Sequence, residues 1–366
     1  MQFYNSTKTY IEKDCVLNHK DELRQFGSRA MIVTGHSSAK NGALDDVTNA
    51  LDAIGIPHVI FNDVEENPSV ETVEKAARIG KQFQADFVIG IGGGSPLDAA
   101  KSVSVLLANP EQTGQCFLQK QDHISFLPVV EVPTTCGTGS EVTPNAVLTY
   151  HQKKTKGSMP YRDYPKMALV DGKYLLGAPY SLIINTSVDA LAHCVESFLH
   201  TKANTLTRMF SGYGLQLWGH LKQPLLDKQP LDEQLAQDLM MQSTVAGMAI
   251  SQAGTSLPHV MSYQITYFKN VPHGKACGIY LGSYVRQYEK NDPATVKKML
   301  DLLGFENVDS FCQCLNDLIG TITLTQEEVD NFSKEIFANT GKLATYPFPI
   351  TKEEIDTIFR ESLHIE

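Results

Sequence analysis

"FVIGIGGGSPLDAAK", residues 87–101, sets the fold. An apolar strand runs into Gly92-Gly93-Gly94-Ser95, and Pro96 then opens a helix. Proline is well tolerated in the first turn of a helix. Glycines let a backbone come close to a ligand, and a helix N-terminus offers unpaired N–H groups with a positive dipole. The turn therefore reads as an anion site whose natural occupant is a pyrophosphate. It departs from the G-x-G-x-x-G fingerprint, because counting from Gly90 and Gly92 places Ser95 at the third glycine. No G-K-[ST] follows, so it is not a Walker A loop either. Read alone, it also fits a tight strand-to-helix junction without a ligand, but three consecutive glycines are costly in backbone entropy.

Outward from this stretch the first half alternates. Short β-rich runs at Met31–Thr34, His58–Phe61, Phe87–Ile91 and Leu127–Val132 are separated by helical spacing over Gly42–Ile54, Val70–Gln84 and Pro96–Leu107. That pattern predicts βαβ units on a Rossmann-like parallel sheet. Two further runs, Ala146–Tyr150 and Met167–Val170, flank the basic stretch Gln152–Gly157 and read as a hairpin or loop attached to the sheet. Beyond Tyr180 helical patterns dominate: Ser187–His200, Thr205–His220, Leu231–Ser251, Asp292–Leu303, Val308–Leu318, Gln326–Ala338 and Lys352–Leu363. We expect an α/β domain over 1–180 and an all-helical domain over 181–366.

The 366 residues carry 31 Lys plus Arg against 41 Asp plus Glu, a net charge of −10. Such a chain lacks the basic face of a nucleic-acid binder and the cationic amphipathic segment of a membrane-surface protein. No apolar run is read as approaching the ~20 residues of a transmembrane helix, and Met1 to Lys13 has no signal-peptide core. The seven cysteines are odd in number and irregularly spaced. That predicts reduced thiols in a cytoplasmic protein.

Three other segments carry candidate chemistry. "EVPTTCGTGSEVTP", residues 131–144, brings Thr134, Thr135, Thr138 and Ser140 to the end of a strand. There it is either a polar ligand loop or a Ser/Thr-rich surface loop. In "MIVTGHSSAKNG", residues 31–42, the strand is followed by Gly35, Ser37, Ser38 and Lys40 and by no acidic residue. An acidic side chain there would accept from an adenosine 2′-hydroxyl. Its absence, with Lys40 near, fits the 2′-phosphate of NADP better than NAD, although an ordinary turn capped by Ser37 or Ser38 is the simpler alternative. Finally, Asp189 and His193 stand four apart, on one face of a helix. His259 and His273 each follow a proline. A carboxylate with three imidazoles suits a divalent first-row metal, while each histidine taken singly is better explained as an ordinary satisfied buried or surface residue.

Taken in order, "GGGSPLDAAK", "PTTCGTGSEVT", "DALAH", "LPH" and "VPHGKACG" resemble the iron-containing (group III) alcohol dehydrogenase family, over nearly the whole chain from "VTG" to "PFPITKEEI". The resemblance implies a dehydroquinate-synthase-like architecture, with an N-terminal dinucleotide-binding domain, a helical metal-binding domain and the active site in the cleft between. It carries the metal ligands to Asp189, His193, His259 and His273. It carries cofactor contacts to Asn67, Gly93, Gly94, Ser95, Asp98, Thr134, Thr135, Thr138, Val147 and Lys156, and it associates Gly35 with NADP use. It implies Fe²⁺, with Zn²⁺ the rival metal. The implied reaction is hydride exchange between nicotinamide and a small primary alcohol, diol or aldehyde, in a homodimer.

One position departs from the family pattern. Many members carry a proton-relaying histidine four residues after the third ligand, where this chain has Tyr263. A tyrosine, with a reference pKa of about 10, is a poor base near neutrality, so proton exchange would run through the cofactor ribose and water. Two alternatives stand beside the dehydrogenase. One is a dehydroquinate-synthase-like lyase, which needs clustered cations, whereas the helical half near the ligands, Leu191–Tyr284, offers Lys269 and Lys275 but little clustered charge. The other is a non-catalytic NADP- or metal-binding protein. Phe198, Leu257, Met261 and Phe268 are the candidate lining of an apolar substrate site.

Overall fold

The computed structural model describes residues 3–153 and 155–366; residues 1, 2 and 154 lie outside the described set. Six strands, β1 (Lys8–Ile11), β2 (Ala30–Thr34), β3 (His58–Phe61), β4 (Phe87–Gly92), β5 (Val129–Pro133) and β8 (Met167–Val170), form one sheet in the order β1-β8-β5-β4-β2-β3. Every pairing in it is parallel. Strands β2, β4, β5 and β8 are buried at every residue. Helices cover both faces of such a sheet, so its central strands are apolar without alternation. The two faces still sort by parity, since successive side chains of a strand point to opposite sides. Met31, Val33 and Val88 join one core cluster, and Ala30, Ile32 and Ile89 join the other.

Chain direction in the sheet positions the site. From β2 the helix Ala43–Ala53 leads to β3 on one side. From β3 the helix Val70–Phe83, capped by Ser69, leads back across β2 to β4 on the other. That reversal opens a crevice beyond the carboxyl ends of β2 and β4, where ligands of open α/β sheets bind. The glycine turn and the Gly35 turn both fall there.

The structure corrects several expectations. Met167–Val170 is not half of a hairpin. It lies in the main sheet between β1 and β5, because "MALV" is buried on both faces. The hairpin pairs β6 (Val147–Tyr150) with β7 (Thr155–Ser158), antiparallel, with Thr149 opposite Lys156. Strand β1, a half-exposed edge with the mixed sequence "KTYI", gave no apolar signal. Ser37 and Ser38 do not cap the helix Ala43–Ala53, whose cap position is Gly42. The helix expected from Ser187 begins at Tyr180. Helices also run over Leu257–Lys269 and His273–Glu289, so each Pro–His pair marks a helix start.

Compact units do not divide the chain at a single point. Asn5–Gly177 forms the α/β unit together with Leu231–Thr244, while Ala178–Pro230 and Val245–Glu366 make up most of a helical unit. The first half of the helix Glu233–Ala253 is tied to the sheet side. Gln237 accepts from the Gly172 N–H at 2.7 Å, and Thr244 donates to Glu141 at 2.8 Å. Within the helical unit, Tyr180–Leu199 is long and apolar enough to cross a membrane by length and composition, which the reading of apolar runs passed over. Most of its residues are buried inside the protein, as in a core helix. Among the described residues no two cysteines are bridged.

Candidate metal centre and cofactor turn

In the α/β unit, β4 ends at Gly92, whose φ of +146° and whose Cβ position 2.6 Å from the Pro96 ring exclude a side chain. Gly93 takes the cap position of the helix Gly94–Ala108 without any side-chain cap, so its first N–H groups stay available to an anion. The threonine loop packs directly on this turn. Thr134 donates its N–H to the Gly92 carbonyl at 2.9 Å, and Cβ positions at Gly93 and Gly94 would fall 3.2 Å from Thr135 Oγ1 and 2.7 Å from Thr138 Cγ2. Asn67 donates its N–H to Ser95 Oγ at 3.0 Å, and the Asn67 carbonyl accepts from Thr149 at 2.8 Å. Both Asp98 oxygens are engaged, by Ser140 Oγ at 2.6 Å and the Val147 N–H at 2.8 Å. Asp98 therefore braces the loop and the hairpin. Lys156 sits opposite Thr149 on that hairpin, half-buried.

Lys101, in the same helix, went unmarked in the sequence reading. It is buried, and its ammonium donates to Ser140 Oγ (2.6 Å) and to the carbonyls of Ser140 (2.8 Å), Asn145 (2.8 Å) and Thr143 (3.2 Å). A single charge thus fixes the far side of the threonine loop. Beside it Glu131 is fully buried, with Lys101 at 4.0 Å and neither carboxyl oxygen hydrogen-bonded. Burial pushes the Glu131 carboxyl well above its usual range, more than Lys101 draws it down.

Around the first βα turn the candidates separate. Ser37 and Lys40 are exposed, whereas Ser38 is buried and donates to the Ile91 carbonyl at 3.2 Å. Ser38 thus holds β4 and is not turned to a ribose. A Cβ at Gly35 would lie 3.2 Å from the Val64 carbonyl oxygen and 3.7 Å from Pro96, so this turn abuts the start of the helix Gly94–Ala108.

The helical unit brings Asp189, His193, His259 and His273 together. Nε2 atoms of His259, His193 and His273 lie 3.5, 3.9 and 3.9 Å from Asp189 Oδ1. The rings of His193 and His259 stack at 4.6 Å, and that of His273 meets His259 edge-on at 5.4 Å. Gly274 permits this convergence, since a Cβ there would fall 1.8 Å from the Asn185 carbonyl oxygen. Asp189 Oδ1 and His259 Nε2 are buried, face each other, and have no hydrogen-bond partner. Two buried lone pairs without a hydrogen-bond partner, aimed at one point, fit a cation.

Electrostatics fit that reading. Burial alone would raise the Asp189 carboxyl, but the neighbouring histidines hold it well below the usual range. Burial pushes His193 down to about 4, leaving a neutral imidazole lone pair. At His259 burial is outweighed by Cys277, Glu196 and Asp189, which draw it upward. A metal there displaces a proton on binding. On the open side, His273 is 38% exposed and Tyr263, 49% exposed, lies nearly parallel to its ring at 6.2 Å.

The sequence reading missed two neighbours. Glu196 accepts from His259 Nδ1 at 2.5 Å and from the Ser256 N–H at 2.5 Å. This leaves Nε2 free for a metal, the usual role of a carboxylate behind a ligating histidine. Its signal was the D-x-x-x-H-x-x-E spacing of Asp189, His193 and Glu196 along one helical face. Cys277, one turn after His273, also turns its sulfur to the centre. Of the expected apolar lining, Leu257 and Met261 are fully buried in the core, while Phe268 is exposed and stacks on Phe332. Lys269 is paired with Glu328 at 2.5 Å and adds no cation to the centre.

Comparison with known proteins agrees with this geometry. Residues 6–172 match the family model "Iron-containing alcohol dehydrogenase", and residues 183–363 match "Fe-containing alcohol dehydrogenase family, C-terminal". The chain is 31% identical over 270 residues to lactaldehyde reductase of Escherichia coli, covering 73% of this chain and 70% of that one. It is 31% identical over 308 residues to the NADPH-dependent butanol dehydrogenase of Clostridium saccharobutylicum, covering 80% and 77%. The solved iron-containing alcohol dehydrogenase of Thermotoga maritima superposes with a TM-score of 0.90 at 33% identity over 99% of each chain. With a parallel sheet ending in a glycine turn, an Asp/His₃ cluster in the helical unit and matching models over both halves, the chain belongs to the iron-containing alcohol dehydrogenase family of oxidoreductases, which bind iron and NAD(P).

Proposed function

We propose that this oxidoreductase is an NADP-preferring, metal-dependent reductase of small aldehydes that also oxidises the corresponding primary alcohols or diols. The observation that carries this reading is the convergence of three imidazole nitrogens on one buried, partnerless carboxylate oxygen of Asp189. Asp189, His193, His259 and His273 would hold the metal, Fe²⁺ or Zn²⁺. When bound, the cation supplies Lewis acidity toward a hydroxyl or carbonyl oxygen. Glu196 fixes the proton of His259 on Nδ1. Half-exposed His273 and Tyr263 mark the side from which a substrate approaches.

In the α/β unit, the Gly93-Gly94-Ser95 turn with Thr135 and Thr138 is suited to the pyrophosphate. Ser37 and Lys40 are exposed at the carboxyl end of β2, and the acidic residue beside this turn, Asp63, lies 3.5 Å from His36 Nε2 and is paired with Lys75. Hydride exchange is the cofactor's chemistry, and the chain's part is orientation and exclusion of water. Tyr263, a poor base, is not the proton carrier, and exchange with water is expected in its place.

A kinetic panel tests the reading. Butyraldehyde, lactaldehyde and short diols are assayed with NADPH and NADH on protein reconstituted anaerobically with Fe²⁺ or Zn²⁺. We expect metal-dependent turnover with kcat/KM favouring NADPH. Gly35→Asp sets a carboxylate against the 2′-phosphate and is expected to lower the NADPH/NADH ratio by roughly tenfold or more, about 1.4 kcal/mol. A parent enzyme that prefers NADH overturns the cofactor assignment. Tight NADPH binding without turnover across the panel overturns the reductase.

A further inference from the structure

Cys277 is fully buried, one turn after His273 on the helix His273–Glu289. Its Sγ lies 3.7 Å from Nε2 and 3.9 Å from Nδ1 of His273. One donor atom from each of Asp189, His259, His273 and Cys277 falls within 4.8 Å of all the others. Two of those donors, Asp189 Oδ1 and His259 Nε2, are the buried atoms without a hydrogen-bond partner. In a tetrahedral shell with metal–sulfur bonds of about 2.3 Å and metal–nitrogen bonds of about 2.05 Å, the sulfur–nitrogen edge is about 3.6 Å. The Cys277–His273 Nε2 distance is close to that edge, and because the sulfur is almost as near Nδ1, a turn of the His273 ring is needed for the Nε2 lone pair and the sulfur to meet one ion.

We infer that Cys277 is a thiolate ligand of the metal in the substrate-free protein, sharing the shell with Asp189, His259 and His273. The inference rests on the metal-centre reading above. Binding forms a metal–sulfur bond in place of the S–H bond, the proton leaves to solvent, and no electron changes hands. The centre then has five protein donors, with His193 overlapping the sulfur-containing set through Asp189 Oδ1 at 3.9 Å. A thiolate among them biases the site toward Zn²⁺ and Co²⁺ and away from Mg²⁺ and Mn²⁺.

Cobalt reads this directly, without catalysis. The full-length apoprotein is titrated with Co²⁺ anaerobically, for the parent, Cys277→Ser and Cys277→Ala, with folding checked by circular dichroism. The parent should show visible ligand-field bands together with a near-ultraviolet thiolate-to-cobalt charge-transfer band at one equivalent. Both variants should keep the visible bands and lose the charge-transfer band. Their affinity should fall by at least the roughly 10- to 100-fold that loss of an outer-shell partner costs. Visible bands in the parent with no charge-transfer band overturn the inference and leave the metal centre standing, and that outcome does not depend on the variants folding. A charge-transfer band that persists in both variants also overturns it, since one of the other cysteines is then the ligand. No visible bands at all sink the metal centre, and this inference with it.

Discussion

Replacing Glu196 by Gln changes a carboxylate with no solvent exposure into an amide of the same shape. Its two oxygens face two donors, His259 Nδ1 and the Ser256 N–H, each at 2.5 Å. A glutamine offers one carbonyl oxygen and one NH₂ group. With its carbonyl toward His259 the amide sets an N–H against the Ser256 N–H; turned the other way it donates to His259 Nδ1 and moves the imidazole proton to Nε2, where it blocks a metal, and in both cases the charge that fixed the tautomer is gone. Hydrogen bonds to a charged group are worth about 1.5–3 kcal/mol. Loss of the outer-shell partner of a ligating histidine costs roughly 10- to 100-fold in metal affinity, about 1.4–2.7 kcal/mol. The two ranges overlap, so we expect the Zn²⁺ dissociation constant of Glu196→Gln to rise 10- to 100-fold. The assay is a competitive titration of apoprotein against a chromophoric chelator at fixed pH, with NADPH binding as the control for an intact α/β unit. A folded variant whose Zn²⁺ affinity stays within twofold of the parent would refute the role of His259 as a ligand held by Glu196.

Three further outcomes test the surrounding architecture. Gly274→Ala forces a methyl group onto the Asn185 carbonyl oxygen and should cost about 3 kcal/mol, the upper part of the overpacking range. At roughly 2–4 °C per kcal/mol, Tm would fall by about 6–12 °C, and an unchanged melt would show that the two helices part easily. Lys101→Met removes the ammonium that donates to Ser140, Thr143 and Asn145 on the far side of the threonine loop. NADPH affinity should drop tenfold or more while Zn²⁺ affinity holds, and equal loss of both would point to general unfolding. Glu131→Gln addresses pH. The folded-state pKa of Glu131 is raised by burial above its ordinary 4.5, so the parent loses stability as pH climbs from that value toward the folded pKa. The variant should gain on the parent in Tm between pH 5 and pH 8, and a difference that is flat or shrinks with pH contradicts the buried, protonated carboxyl.

Local chemistry made much of this legible. Strands β2 to β5 announced themselves as apolar runs and the helices between them by their period, because those signals lie within a dozen residues of one another. Consecutive glycines before Pro96 marked the turn for the same reason, as did the i,i+4 spacing of Asp189 and His193. Where a partner is distant in sequence the signal failed. Met167–Val170 looked like the mate of Ala146–Tyr150 until its burial between β1 and β5 showed otherwise. Strand β1 exists because β8 offers it an edge, and Leu231–Thr244 joins the α/β unit through contacts with Gly172 and Glu141.

The site divides along the same line. By itself the sequence determined the kinds of donor and their family, since residue identity and short spacing survive in one dimension. Tertiary structure decided that His259 and His273, far from Asp189 along the chain, point their Nε2 atoms at its Oδ1. It decided also that Ser38 and Asp98 spend their hydrogen bonds on the scaffold, that Glu196 stands behind His259 and that the Cys277 sulfur faces the centre. A donor's chemistry belongs to its side chain, but its direction and its desolvation are set by the neighbours that packing brings to it.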